Sequence, residues 1–299
     1  MDKRWPLLHF QKYRNDMKFS QTNADFFVPD TVSPELAMSR VTHLGIGAHQ
    51  DDLEFMAMHG ILECFQSDEN WFGGLVCTDG AGSSRTGKYA KFTDEQMKEV
   101  RVQEQRAAAQ MGQYGVMLQA GHPSSRAKDA SQRAGLVSDV QQLIAACSPE
   151  VIYTHNPFDK HATHLGVLMA TLEALAEIPK AQRPNKLIGC EVWRGLDWLP
   201  DEKKLVQDVS LHPNLAAALN GVFDSQITGG KRYDLAVTGR RLSNATFLDS
   251  HSVDEIEAAS YAVELTPIMN GEETLDVFVE RYLSTFTQDV KSALEKVCS

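Results

Sequence analysis

The stretch from Val41 to Phe65, VTHLGIGAHQDDLEFMAMHGILECF, predicts a strand, a polar turn and a helix in that order. Residues 41–48 are short, partly β-branched and interrupted by two glycines, which is typical of a buried strand. After Asp52, apolar residues recur at spacings of three and four, which places them on one face of a helix. His49, Asp51 and Asp52 therefore lie between the end of a strand and the start of a helix.

These polar residues indicate a site, because ligands of open α/β sheets bind at the carboxyl ends of the strands. His49 and Asp52 can bind one divalent cation from a single turn, whereas Asp51 points elsewhere. Nitrogen and oxygen ligands of this kind suit zinc, with manganese, iron or cobalt as substitutes. Alternatively, Asp51 and Asp52 only cap the helix and complement its dipole, and this stretch alone favours neither interpretation.

A second strand-to-helix junction carries further ligand-type residues. The predicted strand 149–154 (PEVIYT) is followed by HNPFDKHATH at 155–164 and then by an apolar helical stripe. His161 and His164 lie on nearly the same helix face, so one can complete a metal site while the other faces the substrate. Two such junctions favour a metal site over helix caps. The alternation of strands and helices predicts a parallel sheet with helices on both faces.

The motifs AHQDDLE and HNPFDKHATH resemble those of the PIG-L or LmbE-like deacetylases, A-H-P-D-D followed by H-x-D-H. The resemblance spans roughly residues 40–180, with weaker similarity to about residue 230. It implies a Rossmann-like three-layer α/β sandwich with a mostly parallel sheet. It also implies a zinc-dependent enzyme that removes acetyl groups from N-acetylglucosaminyl compounds. Gln50 replaces the family's Pro, and Thr163 replaces an Asp that orients the catalytic imidazole in relatives, a role that Asp159 could take over.

The resulting hypothesis is an amide hydrolase with one Zn²⁺ per chain, held by His49, Asp52 and His164, with water in the open position. Asp51 would take the proton of the water and pass it to the leaving amine. His161, in its protonated form, would stabilise the oxyanion.

Two other functions remain open at this stage. The same residues could hydrolyse another amide, such as a thiol S-conjugate. The chain could also be a catalytically silent sugar- or metal-binding protein, which Thr163 at the family's Asp position favours. Retention of Asp51, which a binding protein does not need, argues against a protein without catalytic activity.

Four residues are candidates for contact with the substrate: Asp79, Arg85, Asp159 and Arg194. The first two lie in the Gly/Ser-rich segment 79–87, which is either a lid or substrate loop, or an ordinary connection. Arg194 follows the His161 helix, where relatives have a substrate-contacting Arg, although a surface Arg is equally plausible.

Of three other features, two have two interpretations each. Arg101 and Glu104 either support the site or form a surface pair. The basic segment 229–244 could meet an anionic part of a substrate or be a solvated loop. His122, in a predicted loop, is expected at the surface.

Composition limits the remaining function classes. A chain of 299 residues with 42% hydrophobic content can bury one core. We expect residues 1–40 to form an arm packed on the core, and residues 41–299 to form a single domain. The aromatic residues of the arm would pack on the same chain or on a neighbouring subunit; they are Trp5, Phe10, Tyr13, Phe26 and Phe27. The net charge of −11 argues against nucleic acid and anionic membranes as partners.

Cysteine usage and the N-terminus suggest a compartment. The five cysteines are scattered without any C-x-x-C spacing, as expected for reduced core residues. The N-terminal residues contain no apolar run of signal-peptide length, and no segment approaches the ~20 apolar residues of a membrane span. We therefore expect a cytoplasmic protein without a membrane span that acts on a small amino-sugar conjugate. Because relatives often form oligomers, a homo-oligomer is also considered.

Overall fold

The computed structural model describes residues 17–249 and 251–298. Within them, one sheet contains eight strands: β1 (Asp25–Phe27), β2 (His43–Gly47), β3 (Phe72–Thr78), β4 (Val116–His122), β5 (Val151–His155), β6 (Lys186–Cys190), β7 (Leu205–Asp208) and β8 (Ala259–Glu264). The strand order is β1-β4-β3-β2-β5-β6-β8-β7. The five central strands are parallel, and β1, β8 and β7 pair antiparallel at the two edges. The predicted mostly parallel sheet is confirmed.

The described α-helices are α1 (Pro34–Ser39), α2 (Asp52–Met56), α3 (Met58–Cys64), α4 (Asp94–Met111), α5 (Ser124–Lys128), α6 (Ala134–Cys147), α7 (Ala162–Glu177), α8 (Pro213–Gly221), α9 (Asp224–Ile227), α10 (Tyr233–Thr246), α11 (Thr266–Met269) and α12 (Leu275–Cys298). Helices α1, α6, α7 and α12 contribute to one apolar layer, and α2, α3, α4 and α8 to a second. Helices therefore cover both faces of the sheet, as predicted. No helix in the described ranges is long and apolar enough to cross a bilayer.

The topology places a crevice between β2 and β5. From β2 the chain adds β3 and β4 on one side of the sheet, and it later adds β5 and β6 on the other. Neighbouring strands whose connections leave in opposite directions form a topological switch point, where ligands of open α/β sheets bind. The loops after β2 and β5 carry the two ligand-rich motifs of the sequence.

The segment before residue 40 contributes to the sheet and its core. β1 pairs with β4, with Asp25 opposite Gln119, and α1 buries Ala37 and Met38 in the first apolar layer. A domain boundary at residue 40 stays a prediction. Of the aromatic residues predicted for the arm, Phe26 and Phe27 pack on the two apolar layers of the same chain, and Trp5, Phe10 and Tyr13 lie outside the described residues.

The predicted surface position of His122 is wrong. β4 is longer than its apolar run indicates, and His122 is its last residue, with only 1% of its surface exposed. Its Nε2 atom lies 2.7 Å from Asp139 Oδ2 of α6. A carboxylate partner from another element explains how a histidine at a strand end can be buried, and the local sequence does not show it.

Candidate metal centre and cleft

Three predicted metal ligands converge at the carboxyl ends of β2 and β5. His49 Nδ1 lies 3.2 Å from Asp52 Oδ2, and His164 Nε2 lies 3.3 Å from His49 Nδ1 and 3.5 Å from Asp52 Oδ2. Donor atoms about 2.0–2.1 Å from a tetrahedral zinc ion are separated by about 3.3–3.4 Å. The donor set and its spacing therefore fit one metal ion.

The pKa values of two ligand side chains are shifted by their mutual contact. Burial opposes ionisation of Asp52, but the His164 and His49 imidazoles outweigh it and hold the pKa of this carboxyl below its usual range. Burial lowers the pKa of His164, whereas the Asp52 and Asp159 carboxylates raise it, and the net shift is upward. Asp52 is therefore held as a carboxylate, which attracts positive charge.

Asp159 supports His164 and does not contact the cleft. Its Oδ2 atom lies 3.2 Å from His164 Nδ1 and accepts a hydrogen bond from the Trp193 backbone N–H at 3.1 Å. Asp159 is 1% exposed, so its prediction as a substrate contact is wrong. The orienting role suggested for Asp159 stays a prediction, and the imidazole that its carboxylate contacts is that of His164.

His155 is a neighbour of the metal centre whose place the sequence did not reveal. Its ring stacks on His164, with centroids 4.0 Å apart, and its Nε2 atom lies 3.5 Å from Asp52 Oδ2. Nε2 also accepts a hydrogen bond from the Ala48 N–H at 2.9 Å. Burial lowers the pKa of His155 well below its usual value. Because its acceptor lone pair is already used, His155 packs behind the ligands and is less suited to be one of them.

Asp51 adopts a strained backbone conformation at the cleft floor. Its φ of 98° lies in the left-handed region that non-glycine residues seldom adopt, and its N–H donates to Gln105 Oε1 at 3.2 Å. Its side chain forms no helix-cap hydrogen bond. Instead, Oδ2 accepts from Arg101 Nη2 at 3.0 Å. The cap interpretation of Asp51 is therefore wrong.

Two opposing effects set the protonation of Asp51. Burial raises the pKa of its carboxyl to about 6, with a further rise from Asp52, while Arg101 lowers it. Arg101 is buried, donates to the Gln50 carbonyl as well, and lies 3.6 Å from Glu104 Oε2. The surface-pair interpretation of Arg101 and Glu104 is wrong, because Arg101 fixes both the backbone and the carboxylate beside the ligands.

His161 faces the cleft, and its pKa is lowered. Burial, followed by the neighbouring His164 and His49, lowers its pKa to about 4. Its ring lies parallel to Trp193, with centroids 5.8 Å apart. Within the described residues, its buried Nδ1 atom has no hydrogen-bond partner. The direction of the pKa shift favours the neutral imidazole, which still offers one N–H donor, over the predicted imidazolium.

These groups form the floor of a cleft of about 510 Å³. Thr163 and Gln226 add polar atoms to its lining, and Phe55 and Trp193 add aromatic surface. The segment 79–87 contributes Gly80, Gly82, Ser83 and Ser84, so it borders the cleft instead of being a remote connection. Residue 80 is Gly for two reasons: its φ of 70° lies in the left-handed region, and a Cβ at this position would contact the side chains of Gln50 and Arg101.

The basic segment 229–244 is mostly helix, and only part of it faces the cleft. Tyr233 and Arg240 line the cleft from α10. Arg241 is buried and donates to the Glu54 and Phe55 carbonyls. Consecutive residues of a helix point in different directions. Arg240 therefore lines the cleft, whereas Arg241, the next residue, is buried and structural.

The other predicted substrate contacts lie elsewhere. Arg194 is exposed and is absent from the cleft lining. Arg85 donates to the Ala81 and Phe92 carbonyls and pairs with Asp94. Asp79 pairs with Lys98 at 3.1 Å. Arg85 and Asp79 hold the shape of the 79–87 segment, and neither reaches the cavity.

Comparisons with known proteins agree with this fold. The family profile PIG-L, described as GlcNAc-PI de-N-acetylase, matches residues 44–175, so the predicted resemblance is confirmed. No curated protein matches the chain by sequence.

Several solved structures resemble the chain, among them the following three. The N,N'-diacetylchitobiose deacetylase from Pyrococcus horikoshii has a TM-score of 0.59 and 10% identity, with 79% of this chain and 88% of that chain covered. The conserved protein TT1542 from Thermus thermophilus has a TM-score of 0.57 and 19% identity, covering 75% and 94%. GalB, the 4-carboxy-2-hydroxymuconate hydratase from Pseudomonas putida, has a TM-score of 0.56 and 16% identity, covering 75% and 96%. At these identities the likeness shows the fold.

Proposed function

Starting from the match of residues 44–175 to the PIG-L family, we propose that this chain is a metal-dependent hydrolase that removes the acetyl group from an N-acetylated amino sugar. The fold alone does not decide the reaction, because a deacetylase and a hydratase both resemble it. The observation that carries the proposal is the convergence of three metal-type donor atoms within 3.5 Å of one another, beside Asp51 and His161.

The proposed ligands are His49 through Nδ1, Asp52 through Oδ2 and His164 through Nε2. Zinc bound there would polarise the acetyl carbonyl and lower the pKa of water from ~15.7 to about 7. Asp159 keeps a proton on His164 Nδ1, which leaves Nε2 free to bind the ion. Other divalent transition metals would suit the same donors.

Asp51 is the proposed general base. Arg101 occupies Asp51 Oδ2, which leaves Oδ1 to accept the proton of the attacking water. As the new carbon–oxygen bond forms at the acetyl carbon, Asp51 holds this proton and then delivers it to the nitrogen. The carbon–nitrogen bond then breaks, and acetate and a primary amine are released. The hydrogen bond from the strained Asp51 backbone to Gln105 supports this carboxylate in position.

His161 is the proposed donor to the developing oxyanion. Since its pKa is lowered to about 4, it acts as a neutral imidazole with one N–H. Its parallel contact with Trp193 limits rotation of the ring. A neutral donor beside a bound cation avoids the repulsion that an imidazolium would suffer.

The test is the release of acetate and primary amine from N-acetylglucosamine by zinc-loaded protein. We expect both a chelator and Asp51→Asn to abolish release, whereas Asp276→Asn, an exposed site in α12, should not affect it. Full turnover by Asp51→Asn would refute the assignment of the base. Zinc binding without cleavage of N-acetylated amino sugars or thiol S-conjugates would instead favour the silent binding protein.

A further inference from the structure

Asp51 begins helix α2 without capping it. It occupies the N-cap position, where an Asp side chain usually accepts a hydrogen bond from the second or third N–H of the helix. Here the side chain forms no such bond, and Arg101 holds its carboxylate at the cleft floor instead. The backbone N–H of Asp51 is buried, so it needs an acceptor from another part of the chain.

Gln105 and Glu54 provide this acceptor in two steps. The Asp51 N–H donates to Gln105 Oε1 at 3.2 Å, and Gln105 Nε2 donates to Glu54 Oε1 at 2.8 Å. Glu54 is the third residue of α2, the position from which a capping-box side chain reaches back directly to the N-cap N–H. In this chain the amide of Gln105 lies between the two groups, so the capping box is extended by one side chain from α4.

The Glu54 carboxyl determines the direction in which the Gln105 amide points. One end of a Gln amide accepts hydrogen bonds and the other end only donates, so a reversed amide would place its NH₂ group against the Asp51 N–H. Glu54 Oε1 accepts from Gln105 and, at 2.7 Å, from the Tyr114 hydroxyl, and a carboxyl oxygen can accept in either protonation state. The three side chains are at most 1% exposed, so bulk water cannot replace a lost bond.

Arg101 and Gln105 hold Asp51 from the same side. They lie four residues apart on α4, which places them on one face of the helix. Arg101 contacts the Asp51 carboxylate and the Gln50 carbonyl, whereas Gln105 contacts the Asp51 N–H. Without the second contact, Asp51, with its φ of 98°, could relax to a more common backbone conformation and move its carboxylate.

We propose that Glu54 and Gln105 are positioning residues, which together hold the Asp51 backbone in its left-handed conformation and thereby keep the Asp51 carboxylate directed into the cleft beside the metal ligands. Neither side chain lines the cleft, so both act through Asp51. This inference rests on the proposed function for the role of Asp51 as the general base.

Amide hydrogen exchange of metal-free protein, followed by NMR, measures the Asp51 N–H directly. Gln105→Met removes its acceptor, and Glu54→Leu removes the group that orients this acceptor. We expect both variants to accelerate exchange of the Asp51 amide about tenfold or more. Glu54→Gln keeps a carbonyl oxygen for Gln105 and should restore slow exchange. The Ala57 N–H, which donates to the Leu53 carbonyl in the same helix, should stay protected in every variant.

Turnover of N-acetylglucosamine by zinc-loaded protein measures the consequence for the base. In Gln105→Met and Glu54→Leu we expect kcat to fall about 10- to 100-fold, because displacement of a catalytic group by about 1 Å can cost 10²-fold in rate. KM should change less, since Asp51 acts on the attacking water, and Glu54→Gln should retain kcat. Leu143→Ala, a core substitution in α6, is the matched control: it also lowers the midpoint of unfolding but should leave kcat unchanged.

Three results would overturn the positioning role. They are an Asp51 amide that stays protected in Glu54→Leu, a loss of kcat in Glu54→Gln equal to that in Glu54→Leu, and, in an active protein, a kcat of Glu54→Leu no lower than that of the control. If Gln105→Met does not fold, the comparison of Glu54→Leu with Glu54→Gln decides. The expected exchange pattern in a protein that releases no acetate would support the positioning of Asp51 and refute the deacetylase.

Discussion

Replacement of Arg101 by Met tests the buried network beside the candidate metal centre. The Arg101 side chain is 2% exposed, and its guanidinium contacts the carboxylates of Asp51 and Glu104 and the Gln50 carbonyl. Met keeps most of the side-chain volume but leaves two buried carboxylates without their cation. Removal of one partner of a buried ion pair costs about 3–5 kcal/mol. We therefore expect the free energy of unfolding to fall by about that amount.

The assay is urea unfolding of metal-free protein, so that lost metal binding does not contribute to the difference. Arg281→Met is the matched control, since Arg281 pairs with Glu273 on the partly exposed side of α12 and such pairs contribute about 0–1 kcal/mol. A loss below about 1 kcal/mol for Arg101→Met, equal to that of the control, would show that the buried network is not as described.

Three further changes have expected outcomes. His161→Ala should retain the metal but lower kcat by about 10²- to 10³-fold, and an unchanged kcat would refute the oxyanion role. Asp159→Asn should weaken zinc binding about 10- to 100-fold in a chelator competition, since it removes the carboxylate behind His164; an unaltered Kd would contradict that role. Alkylation at pH 8 followed by mass spectrometry should modify exposed Cys298 first. Burial raises the pKa of the other thiols, to about 12 for Cys64 and Cys147, so rapid reaction of a buried thiol would contradict the packing; the protected residues are Cys64, Cys77, Cys147 and Cys190.

The sequence was sufficient to predict those parts of the site that lie within a single strand-to-helix junction. Strand-to-helix junctions are local features, so the His49 to Asp52 turn and the His161 to His164 helix start could be placed without coordinates. The topology then brought them together, because the carboxyl ends of adjacent parallel strands share one edge of the sheet.

Contacts between distant segments were not predictable from the sequence. The burial of Arg101 depends on the turn after β2, and the orientation of Arg240 depends on carbonyls in the loop after β6. The sequence does not distinguish His155 from any other polar residue at a strand end, because its hydrogen bond comes from the distant Ala48 N–H. Likewise, burial and then the imidazoles of His164 and His49 lower the pKa of His161, and its sequence position alone does not show these contacts.

Zinc titration of metal-free protein tests most directly whether His49, Asp52 and His164 together hold one metal ion. We expect one tightly bound zinc per chain in the wild type and loss of that site in each of His49→Ala, Asp52→Asn and His164→Ala. The control His122→Ala, a buried histidine outside the cleft, should still bind one zinc. Undiminished zinc binding by the three ligand variants would show that these residues do not hold the ion.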